Sequence, residues 1–110
     1  MGIFTEIDAV LQAIAAQPYI YNIAIADPDT EYSLELPSGT KAFAFSIQDG
    51  AEANNFRIAF ETGKVATPTS PFLKYSCIAE YAEKGLYLNS KELFFACSVG
   101  AVVAQIIVWI

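Results

Sequence analysis

Asp27, Asp29 and Glu31 stand at alternate positions in the run DPDTE, a spacing that could gather oxygen ligands around a calcium ion. The run lacks the following glycine and the distal glutamate of an EF-hand loop, so a solvated turn between two strands is the plainer reading. Glu80 and Glu83, in AEYAEKG, could serve as an acid and base pair for glycoside hydrolysis. Any two of the chain's twelve acidic residues can be paired in that way, however. The sequence has no histidine, which excludes Ser-His-Asp and Cys-His arrangements and removes the commonest zinc ligand. On these residues the chain is expected to be no enzyme and to need no cofactor or metal.

Two cysteines, Cys77 and Cys97, are too few for a disulfide scaffold and too far apart in sequence for a redox or zinc motif. Buried, reduced thiols, made in a reducing cytoplasm, are expected. Tyr19, Tyr21, Tyr32, Tyr75, Tyr81, Tyr87 and Trp109 could form a sugar-stacking platform, or could pack in a core or an interface, where such rings are equally favoured.

Composition narrows the partners. Of the 110 residues, 55% are hydrophobic and 16% charged, against about 25% charged in an ordinary domain. One domain of this size cannot hide that much apolar surface in a single core. The net charge of −6 repels phosphate backbones, so nucleic acid is not expected as a partner. The longest apolar run, residues 99–110, is shorter than the ~18 residues of a membrane span and contains Gln105. The amino terminus has no basic leader and carries Glu6 and Asp8 among its apolar residues, which argues against a secretion signal. Glu6 also stands where a myristoylation pattern requires Ser or Thr. The apolar excess is therefore expected to meet other protein.

The elements that must position these residues follow from hydrophobic period. Residues 5–18, TEIDAVLQAIAAQP, read as a helix capped by Thr5, with Ile3, Ile7, Val10, Leu11 and Ile14 on one stripe; an extended arm is the alternative. From Tyr19 the period becomes two. YIYNIAIA, EYSLELP, KAFAFSIQ and FRIAFE read as strands separated by turn residues, the last three as a meander. FLKYSCIAE, GLYL, KELFFACSV and AVVAQIIVWI complete a set of seven or eight strands with turn signals about every ten residues. That pattern predicts an all-β antiparallel sandwich or jelly-roll-like barrel over residues 26–110, preceded by a helix or arm over residues 1–25.

The last strand raises a question of cover, for which the amino-terminal apolar segment, a second copy of the chain and a larger partner are the candidates. Val102, Ala104, Ile106, Val108 and Ile110 make one apolar face, assigned to the core. Val103, Gln105, Ile107 and Trp109 make the other, which is almost as apolar, whereas a strand with one wet face should alternate. Phe94 likewise stands opposite its strand's core face, and either lies in a second buried layer or is exposed as an anchor. Ile3, Phe4, Ile7, Phe94, Ile107 and Trp109 are accordingly the candidate protein-contact residues, and a homo-oligomer, most simply a dimer, is expected.

The order LP-x-GTK-x-F-x-F, FRIAFE-x-G, GLYL, LFFA and a closing apolar strand ending near Trp, found from Glu31 onward, resembles the capsid decoration proteins, also called cement or staple proteins, of short-tailed bacteriophages. The resemblance implies a jelly-roll-like domain on the outer surface of a virion, oligomeric, without catalytic residues, clamping neighbouring subunits of the major capsid protein. A carbohydrate- or receptor-binding module of a tail appendage is the rival, and an exposed row of tyrosine or tryptophan rings on one sheet would favour it.

Overall fold

The computed structural model describes residues 17–110. These form eight strands: β1 (Pro18–Ile25), β2 (Tyr32–Glu35), β3 (Ala42–Gln48), β4 (Asn55–Ala59), β5 (Leu73–Ser76), β6 (Glu80–Lys84), β7 (Glu92–Cys97) and β8 (Val102–Trp109), with one 3-10 turn at Leu86–Leu88. The strands build two four-stranded sheets in the orders β1-β8-β3-β6 and β2-β7-β4-β5. Every pairing is antiparallel. The pairs β1·β8, β2·β7, β3·β6 and β4·β5 are those of one long hairpin folded over into two sheets, which is the jelly roll. The expected all-β sandwich is present; the expected helix over residues 5–18 falls, up to residue 16, outside the described residues.

Three strand assignments change. β2, β3 and β4 do not form a meander, because β3 lies in the first sheet and its two chain neighbours in the second. Short links at the ends of the sandwich carry the chain across the core instead of turning it back beside itself. The β2–β3 link is built for this: Leu36 is buried, Thr40 Oγ1 donates to the Pro37 carbonyl at 2.7 Å, and Gly39, at φ 87°, donates its N–H to Asn89 Oδ1 at 2.6 Å. GLYL is not a strand, since its last three residues form the 3-10 turn that carries the chain out of β6. The strand there is EYAEK, just upstream. Finally, β1 starts at Pro18 and belongs to the first sheet, so the sequence boundary at residue 25 coincides with the end of that sheet's edge strand.

Alternation explains the core. β3 sends Phe43, Phe45 and Ile47 inward and β8 sends Ala104, Ile106 and Val108; from the second sheet come Phe56, Ile58, Leu93, Phe95 and Cys97. Phe45 lies at the centre, its ring 4.9 Å from that of Phe56 and 5.2 Å from that of Phe95. Rings at such offsets contribute beyond the area they bury. Cys77 and Cys97 are free and buried on this inner side, as their places among core residues suggested, with their sulfurs 3.5 Å apart. Gly50 lets the β3–β4 turn approach this pair, since a Cβ there would collide with the Cys77 carbonyl.

Candidate functional site

Three of the five acidic residues that could have carried chemistry, Asp29, Glu31 and Glu83, hold the fold instead. Asp29 pairs with Arg57 Nη2 at 2.8 Å, while Glu31 accepts from Thr62 Oγ1 at 2.8 Å and from the Gly63 N–H at 2.9 Å. The DPDTE carboxylates thus diverge, and among the described residues no three ligating side chains gather. Glu80 and Glu83 point to opposite sides of β6, as their pairing with Ser46 and Phe43 of β3 requires. They cannot face one substrate. Glu83 instead accepts from the Tyr81 hydroxyl at 2.6 Å and the Tyr87 hydroxyl at 3.2 Å. Burial, reinforced by the Glu83 carboxylate, raises both phenols above the usual 10.0 and keeps them protonated.

The outer faces of the two sheets differ. On the second sheet, Phe94, Ala96, Arg57 and Ala59 point away from the core. The β4–β5 connection lies over them: Val65 is fully buried with Ala59 and Ala96, and Phe72 and Phe94 pack beside it. Arg57 fixes that cover by donating from Nε to the Val65 carbonyl at 2.6 Å. Phe94 is therefore half-buried beside a layer closed by the chain itself. Val65 was missed from sequence because it is a lone apolar residue within the turn-rich run TGKVATP.

On the first sheet, register sets the outward residues in rows. Pro18, Trp109, Ala42 and Lys84 form one row; Ile20, Ile107, Ala44 and Ala82 the next; then Asn22, Gln105, Ser46 and Glu80; and last Ala24, Val103 and Gln48. The end nearest Trp109 is apolar and the middle is amide-rich. Three alanines keep its floor low, and Trp109 packs with Ala42, Ala44, Ala82 and Ile107. Between the apolar and amide rows is a depression of ≈ 130 Å³ lined by Ile20, Ala44, Ser46, Gln105 and Ile107. Trp109 is only 9% exposed and serves as floor, whereas Ile20 is 69% exposed and stands free at the rim. A larger cleft of ≈ 220 Å³, between the end of β4 and Pro71, Phe72 and Leu73, is walled by the two ends of the chain's own loop.

The structure thus brings Ile107 and Trp109 together and separates Phe94 from them by the thickness of the sandwich. Ile3, Phe4 and Ile7 lie outside the described residues. Ile20 was not among the sequence candidates, although the uncharged run PYIYNIAI signalled it. Among the tyrosines, Tyr19 and Tyr87 are the strongly exposed ones, at 47% and 57%, and they sit on different strands and links, not in a row.

No protein-family model matches the chain, and no curated protein matches it in sequence. Among solved structures, a chain from the X-ray structure of tomato aspermy virus aligns with TM-score 0.50 at 6% identity, over 96% of this chain and 93% of that one. A de novo designed double-stranded β-helix aligns with TM-score 0.47 at 12% identity, over 86% of this chain and 99% of that one. The periplasmic g-type lysozyme inhibitor of Aeromonas hydrophila aligns with TM-score 0.42 at 10% identity, over 86% of each chain. The likeness to the virus chain is one of fold, and together with the strand order it defines the class: a jelly-roll β-sandwich protein.

Proposed function

We propose that this protein is a non-enzymatic virion protein that decorates the outer surface of a phage capsid and stabilises it by clamping neighbouring subunits of the major capsid protein. The observation that carries the reading is the outer face of the β1-β8-β3-β6 sheet, where Ile20, Ile107 and Trp109 surround small alanines beside a shallow depression. A depression with an apolar floor and an amide rim suits one inserted apolar side chain of a protein partner, the arrangement that concentrates binding energy at the centre of an interface. The resemblance to decoration proteins along the chain from Glu31, the jelly-roll topology and the diversion of Asp29, Glu31 and Glu83 into structural bonds support the same reading.

A clamp acts by mass action. It binds the assembled shell and not the separated subunits, and so raises the free energy needed to take the shell apart. Many copies on one lattice turn modest contacts into avidity. The test is to add the protein to empty shells of its matching phage, sediment them, and heat them with and without it. Co-sedimentation with delayed shell disruption is expected; shells that neither retain the protein nor gain heat resistance would overturn the proposal. Glycan binding as the main activity receives no support from the scattered placing of the exposed tyrosines.

A further inference from the structure

The jelly roll has four edge strands, and they are not alike. β6 (EYAEK) carries three charges, β2 (YSLE) carries Glu35, and β5 (LKYS) is four residues long and carries Lys74. Charge and shortness are the usual protections of a free edge against pairing with another chain. β1 has neither: PYIYNIAI is eight residues long and uncharged. Tyr19 and Ile20, which point to opposite sides of the sheet, are both strongly exposed, so the first half of the strand stands clear on its two faces. Among the described strands, only β8 pairs with it.

The backbone polarity of that edge can be read from one pair. Gln17 and Ile110 exchange both of their backbone hydrogen bonds, at 3.0 and 2.9 Å. Antiparallel ladders alternate, so Tyr19, Tyr21, Ile23 and Ile25 also direct their N–H and C=O groups to β8. Pro18, Ile20, Asn22 and Ala24 direct theirs away, toward the open side. Pro18 has no N–H to offer and sits at the strand's first position, where proline is tolerated.

We infer that β1 is a self-pairing edge, through which two copies of this chain join antiparallel about a two-fold axis at Asn22 to make one continuous sheet. In that register Asn22 faces Asn22 of the second copy and Ile20 faces Ala24, and these are the residues whose backbone groups point away from β8 with no partner among the described residues. On the core side Tyr21 meets Ile23 and Tyr19 meets Ile25, aromatic residues against β-branched ones, which are favourable cross-strand pairs. No charge opposes another anywhere along the strand. The two apolar outer faces then lie side by side on one extended sheet. This inference rests on the edge alone and stands or falls separately from the capsid reading.

The test uses the full-length protein without shells. Light scattering at tens of micromolar should show a dimer. Asn22→Pro removes an outward N–H without touching the β1–β8 bonds, and Ile20→Lys supplies the charge the edge lacks. Both should be monomers with the parent's circular dichroism. Asn22→Cys should cross-link to its copy under mild oxidation, since directly opposed residues of a hydrogen-bonded pair have Cα atoms about 5.5 Å apart, within disulfide reach. Ala24→Cys should not cross-link to its copy. A monomeric parent, an Ile20→Lys variant that associates as the parent does, or an Ala24→Cys variant that cross-links as readily as Asn22→Cys would each overturn the inference. Should Asn22→Pro fail to fold, Ile20→Lys and the cross-linking pair decide it.

Discussion

Both sheets of this jelly roll carry apolar side chains on their outer faces, yet the two faces are finished differently. The β2-β7-β4-β5 face is roofed by the chain's own β4–β5 connection, with Val65 as the packed residue and Arg57 as the tie. The β1-β8-β3-β6 face has Trp109 sunk among alanines, Ile107 half-buried and Ile20 exposed. An apolar residue opposite a core face is thus not by itself a contact residue. Among the described residues a covering segment lies over Phe94 and none over Ile107, and this distinguishes two positions that are alike in sequence pattern.

Breaking the roof should have the largest effect. Arg57 is 5% exposed, and its removal leaves the Val65 carbonyl without its donor. Arg57→Ala is expected to cost about 3 kcal/mol in urea denaturation and to open residues 60–72 to proteolysis. Asp29, more than half exposed, contributes little to that loss because water screens it. Val65→Ala keeps the tie and removes packed methyl groups, for an expected cost of about 2 kcal/mol. If both variants melt like the parent, the connection is not a structural roof and the contrast between the faces disappears.

Alternation made much of this legible. The inward Phe43, Phe45 and Ile47 of β3, the inward face of β8 and the burial of both cysteines all follow from period-two reading, because each strand has one face in the core. β6 escaped because its core-side Glu83 broke the apolar pattern; only the phenols of Tyr81 and Tyr87, brought in by folding, satisfy that carboxylate. The meander failed for a related reason. Short links can either reverse a strand beside its neighbour or carry it to the opposite sheet, and local turn chemistry does not distinguish the two. Nor could a separation of twenty residues reveal that the Cys77 and Cys97 sulfurs touch. The outward placing of Ile107 and Trp109 on β8 is readable because that face lacks polar alternation, whereas the exposure of Ile20 depends on β1 being an edge.

Smaller effects sharpen the comparison from inside. Burial first, and then the Cys97 contact, push the Cys77 thiol from 9.0 up to about 12. Native protein at pH 8 should therefore react with iodoacetamide far more slowly than urea-unfolded protein. The folded state holds this proton more tightly than the unfolded state does. Its contribution to stability is accordingly intact below about pH 9 and is lost as the pH rises toward 12, so denaturation midpoints should fall through that alkaline window. Fast labelling of both thiols in folded protein at pH 8 would contradict their placement. Smallest of all, Ile107→Ser should shift stability by less than about 1 kcal/mol, because Ile107 is only partly buried.

The central proposal is that the outer face of the first sheet is where this protein grips a coat lattice, and the most direct measurement is shell binding compared face against face. Ile107→Ser changes the first face and Lys74→Ala the second, both on folded protein whose circular dichroism matches the parent. Ile107→Ser should weaken co-sedimentation with empty shells at least tenfold, while Lys74→Ala should bind within about twofold of the parent, as expected when a central contact is lost and a residue outside the contact is not. Undiminished binding by Ile107→Ser, or a loss confined to Lys74→Ala, would contradict the account.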